Sequence, residues 1–106
     1  MTDRIVRFTE QFFDRLEELL PTERGRDGTP SITDFISFEI APIRDGLARD
    51  AIGATAPTGN PDVRALICTG VLIPAILAYV AVDEFVAEVY WLSLDFGPPI
   101  TGPLHR

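Results

Sequence analysis

Few side chains in this sequence could do chemistry, and their types limit what that chemistry is. All nine basic residues are Arg and none is Lys, which removes Schiff-base catalysis and a phosphate-loop lysine and leaves guanidinium groups for any cationic recognition. Arg64, two residues after Asp62, could bind an acidic partner or a phosphate. A strand Arg near an Asp is more often an exposed ion pair of small energy. Cys68, the only cysteine, forms no internal disulfide and no zinc site by itself. Its neighbours Ile67 and Thr69 suggest a small apolar role in a buried strand. His105 could serve as a general acid or base, but it is penultimate in a Pro-rich tail without the fixed geometry such catalysis needs.

The carboxylates point away from catalysis as well. Glu17-Glu18 and Asp83-Glu84 are adjacent pairs, suited to a solvated face and a turn rather than to two acids placed across a cleft. Asp34 and Glu39 lack the further ligands a metal would need. Phe35, Phe38, Tyr90 and Trp91 would need a basic groove to stack nucleic-acid bases, and the net charge is −7, from 16 acidic residues against nine basic ones. Nonspecific nucleic-acid binding is disfavoured by that charge. Core and interface packing is the expected role of the aromatics, with Arg64, Tyr90 and Trp91 as the partner-binding candidates. No catalytic residue, metal or cofactor is predicted.

Positioning these residues requires one domain: 106 residues, 46% of them apolar, suffice for a single core and not for two. The lone cysteine and a charged N-terminus, MTDRIVRFTE, without a signal-peptide core point to the cytoplasm. The apolar stretch Ala65 to Val82 has the length of a membrane span, but Gly70, Pro74 and the closing Asp83-Glu84 fit two strands and a turn.

Arg4 to Phe8 alternates as a strand. Thr9 stands at an N-cap position before Phe12, Phe13, Leu16, Leu19 and Leu20 at helical spacing, and Pro21 ends that helix. Residues 21–30 form an exposed loop. Ser31 and Asp34 make a capping box ahead of Ile32, Phe35, Ile36, Ile40, Ile43 and Leu47, a helical face broken at Glu39. Pro42 in that run predicts a kink or two successive helices. Residues 50–61 read as a connection, followed by three strands over VRALICTG, ILAYVAVD and VAEVYWLSLD joined as an antiparallel meander. Strict alternation in the last strand puts Val86, Glu88, Tyr90, Leu92 and Leu94 on one face and Ala87, Val89, Trp91, Ser93 and Asp95 on the other. Both faces are partly apolar, so helices are expected on one and a partner or the tail on the other. The tail, residues 97–106, reads as extended. The fold class is α+β: an N-terminal strand and two helices, the second kinked or split near Pro42, packed on the meander.

This order, with Ile5-Val6-Arg7-Phe8-Thr9-Glu10-Gln11-Phe12, Pro57 through Leu66, Ala78-Tyr79-Val80-Ala81-Val82-Asp83 and Glu88-Val89-Tyr90-Trp91-Leu92, resembles the RelE/ParE superfamily of bacterial type II toxins over about residues 4–96. The resemblance implies a toxin held inactive by a cognate antitoxin and acting as a ribosome-dependent messenger-RNA endonuclease or a gyrase poison. Arg64 is the only residue matching a basic site position of the ribonuclease branch. Where that branch places Arg and then Tyr or His after the last strand, this chain has Leu94-Asp95-Phe96-Gly97. Asp95 has the wrong charge to stabilise a phosphoryl-transfer transition state. The expectation is therefore a noncatalytic toxin component. Its acidity would call for a partner richer in Arg or Lys. The alternative is an interaction or homodimer module without toxicity, built on Tyr90, Trp91 and the sheet face.

Overall fold

Thr9 separates the first two elements. Strand β1, Ile5–Phe8, ends just before it, and its hydroxyl accepts from the Phe12 amide at 3.2 Å to cap helix α1, Glu10–Leu19. In the computed structural model, which describes residues 3–96, α2 follows at Ile32–Phe38 and α3 at Ile40–Ala54. Four more strands complete the fold: β2 (Ala56–Pro57), β3 (Arg64–Cys68), β4 (Ala75–Val82) and β5 (Val86–Asp95). The architecture is the expected α+β, with three helices and one open sheet of order β1-β5-β4-β3-β2. Strands β3, β4 and β5 form the antiparallel meander, while β1 lies parallel to β5 at the far edge. The extended tail expected over residues 97–106 lies outside the described residues.

The long second helix divides three residues before Pro42. Ser31 and Asp34 form the capping box that starts α2, and α2 stops at Glu39 (φ −102°, ψ −32°), which is both the C-cap of α2 and the N-cap of α3. Pro42 is the third residue of α3, within the first turn, where a missing N–H removes no intrahelical bond. A second irregularity occurs at Asp50 (φ −155°, ψ 74°), whose carboxylate accepts from the Gly53 amide at 2.9 Å and recaps the final turn. The connection expected over residues 50–61 is thus partly regular: it includes the end of α3 and the two-residue edge strand β2.

Glu39 ties this helix junction to the sheet. Its side chain is 2% exposed, and its carboxylate accepts from three successive amides of the β3–β4 connection: Val71 at 2.7 Å, Leu72 at 2.9 Å and Ile73 at 3.1 Å. The residue that breaks the apolar helical face is therefore a buried anchor. Gly70 provides the room, since a Cβ there would stand 2.5 Å from Glu39 Oε2 and 2.8 Å from the Ile76 side chain.

The core lies between the three helices and one sheet face. Phe12, Leu16, Phe35, Ile43 and Leu47 pack on Leu66, Ile76, Ala78, Val80, Val89 and Leu92. Strict alternation in β5 fails at one point: Tyr79 pairs with Trp91 but Val80 pairs with Val89, leaving Tyr90 as the extra residue of a bulge. Ala87 and Val89 consequently share the core face with Leu92, and Trp91 points to the opposite face. Among the described residues no helix is long and apolar enough to cross a membrane, and the Ala65–Val82 stretch forms β3, β4 and the turn between them.

The loop before α2 is tied down by Arg24, whose Nε and Nη2 meet the two Asp34 carboxylate oxygens at 3.0 and 2.9 Å. The Arg24 hydrogen bond and then the Ser31 amide hold the Asp34 carboxyl down at about 2. A depressed carboxyl stabilises the fold above its unfolded-state value of about 3.9 and loses that contribution as pH falls toward the folded value. Urea midpoints followed from pH 5 to pH 2 should therefore fall less steeply in Asp34→Asn than in the parent over the window between about 4 and about 2. Glu39→Ala, which orphans three amides, should lower unfolding free energy by on the order of 3 kcal/mol. Gly70→Ala should cost about 2 kcal/mol by crowding the same carboxylate, and both losses are readable by chemical denaturation.

Candidate functional site

Arg64 is turned inward to the end of α3. Its Nε donates to the Thr55 hydroxyl at 2.7 Å, and its Nη2 donates to the carbonyls of Thr55 at 3.1 Å and Ile52 at 3.2 Å. The Thr55 hydroxyl in turn donates to the Ala51 carbonyl at 2.6 Å. A cation at a helix C-terminus satisfies carbonyls that have no intrahelical partner and complements the helix dipole. No ion pair joins Arg64 to Asp62 among the described residues, so the surface pair suggested by their closeness in sequence does not form.

Other arginines are similarly engaged within the chain. Arg15 donates from Nε to the Leu92 carbonyl at 2.9 Å, and its guanidinium lies 4.8 Å from the centroid of the Trp91 ring. β1 pairs with β5 from Val86 to Val89, so among the described residues no strand lies beside Trp91 and Leu92 on that outer side. Arg15 reaches it from α1. Arg4 donates to the Asp83 carbonyl at 2.7 Å at the β4–β5 turn. In that turn the Asp83 carboxylate accepts from Phe85 and Val86, both at 2.7 Å, and these amides hold its carboxyl below the ordinary range.

Trp91 is central to the uncovered sheet face. It stacks on its cross-strand partner Tyr79 with ring centroids 5.1 Å apart and planes 27° from parallel, and Arg15 contributes a cation–π contact. The alternation places Ala65 and Ile67 of β3, Leu77 and Ala81 of β4, and Ser93 of β5 on this same face. Ile67 is 70% exposed. The three partner-binding candidates are thus separated: Trp91 belongs to the open face, Tyr90 to the bulge, and Arg64 to the end of α3. Tyr79 is the addition; its register opposite Trp91 depends on the bulge and could not be read from β5 alone.

Two of the remaining carboxylates have structural partners. Asp34 is held by Arg24 and Ser31, and Glu39 by three amides. Cys68 is half-buried, and burial first and the nearby Glu39 charge second push its thiol upward, away from the reactive thiolate. His105 lies outside the described residues.

Comparison of the chain with known protein families, curated proteins and solved structures returns no match. Replacing Arg64 by Ala should destabilise the fold by about 1–2 kcal/mol through the end of α3. Arg64→Lys, which cannot reproduce the forked contacts, should recover only part of that loss in a denaturant titration.

Proposed function

We propose that this chain is a noncatalytic, RelE/ParE-like toxin component of a type II toxin–antitoxin system, neutralised by a cognate antitoxin that covers its open sheet face. The observation that carries the binding part of this reading is the one-sided sheet, with the stacked Tyr79–Trp91 pair and Arg15 fixed on the uncovered side. Rigid aromatic and Arg groups surrounded by small apolar residues are the usual composition of an energetic centre in an interface. The family part rests on the order of strand, helices and meander and on the phrases quoted above.

The noncatalytic part is supported by where the guanidinium groups go. Four of the nine arginines, Arg4, Arg15, Arg24 and Arg64, bond the chain's own carbonyls, hydroxyl or carboxylate groups, and Arg64 is the one that the resemblance matches to a basic site position. Cleavage of a phosphodiester would require such cations at the phosphate. With a net charge of −7, the partner segment is expected to be rich in Arg or Lys.

Inducible expression in a bacterial host, with and without the neighbouring open reading frame, tests this reading. Growth arrest relieved by the neighbour supports it, and Trp91→Ala in the chain should weaken that partner's binding at least tenfold while leaving the thermal transition within a few degrees. Unimpeded growth together with a dimer in light scattering would favour the homodimer module instead.

A further inference from the structure

A second surface lies on the helical side of the sheet, at the opposite edge from β1. Strand β2 begins only at Ala56, which pairs with Ala65, so among the described residues Leu66, Ile67 and Cys68 pair with β4 on one side and have no strand on the other. An unpaired edge offers amides and carbonyls to any extended chain that reaches it. Behind this edge, between α3 and β3, is a cavity of about 350 Å³ walled by Ile43, Leu66, Cys68, Val71 and Ile76. That volume holds one or two large apolar side chains. Its far wall is the connection that Glu39 anchors, so the cavity is preformed instead of being ordered on binding.

The cavity continues across Pro42, Gly46 and Ala54 into an open groove along α3, whose lining includes Asp45, Arg49 and Asp50. Asp45 meets Arg44 at 3.7 Å, and both side chains are more than half exposed, so that pair is weak and exchangeable. Gly46 links the two spaces, and a Cβ built on it meets nothing within 4 Å.

We propose that the β3 edge, the cavity and the groove form one docking site for an extended segment of a partner protein. The segment adds as a strand beside Leu66–Cys68, inserts an apolar side chain into the cavity, and carries a neighbouring Lys or Arg to Asp45 and Asp50. Charge selects this occupant: an apolar anchor with acidic flanks would meet two carboxylates and a strongly acidic chain. Trp91 lies on the other face, so this site stands or falls separately from the open-face reading.

The test is selection of a displayed random 12-residue peptide library on the full chain alone, the enriched peptides then being measured on Gly46→Leu. That variant fills the groove from a helical position with open space around it, and its circular dichroism and melting should match the parent. Enriched peptides should alternate apolar residues with at least one Lys or Arg and slow alkylation of the single Cys68. They should bind Gly46→Leu at least tenfold more weakly and the Asp45→Asn/Asp50→Asn double variant several-fold more weakly; Asn at position 50 keeps an oxygen for the Gly53 amide. N-methylation of alternate peptide amides should abolish binding in one of the two registers. Binding that survives Gly46→Leu, peptides without a basic residue, indifference to N-methylation in both registers, or no enrichment at all would each overturn the proposal.

Discussion

The Glu39 carboxylate is the constraint on which the rest of the molecule depends. A buried charge without compensation costs several kcal/mol, and three charge-assisted hydrogen bonds from consecutive amides offset that cost. The same bonds satisfy the Thr69–Pro74 connection, whose amides would otherwise have no ladder to join. Two irregular places, the break between α2 and α3 and the turn between β3 and β4, are thereby made to stabilise one another. Ile73 and Ile76, both essentially fully buried, are set into the core from either side of this contact.

Arginine has an equivalent role at the periphery. The planar guanidinium can meet several oxygens in fixed directions, which an ammonium cannot do. In this Lys-free chain it closes the end of α3 through Arg64, covers part of the β5 edge through Arg15, binds Asp34 through Arg24 and pins the β4–β5 turn through Arg4. These four of the nine arginines therefore serve local backbone and side-chain groups.

The two sides of the sheet differ for a topological reason. All three helices are inserted between β1 and the later strands, and they pack together on one face. Among the described residues the other face keeps its apolar side chains without a covering layer. Strands β1 and β2 are too short to pair with the full length of β5 and β3, so among the described residues neither long strand is paired along the whole of its outer side. An open apolar face and unpaired edges are features that soluble folds ordinarily shield, which is why the functional readings centre on partners instead of on chemistry.

Local signals were legible in the residues themselves. Thr9, the Ser31–Asp34 box and the three β-rich runs act over a few positions, so the caps and the meander could be located before any tertiary contact was known. The partners of Glu39 lie 32 to 34 positions away, and only folding could show that the break in the apolar face is an anchor. Arg64 pointed by sequence to Asp62, but folding placed it at Thr55 and Ile52 across the β2 turn. The bulge at Tyr90 reversed the facing of half of β5 because register is decided by pairing with β4, not by alternation within one strand. Sequence by itself thus determined the kinds of element, their order and the shortage of cationic chemistry, since these follow from short-range periodicity and composition. Which side chains are anchors and which are free to meet a partner was decided by tertiary structure alone, because burial and hydrogen bonding join residues that are distant along the chain.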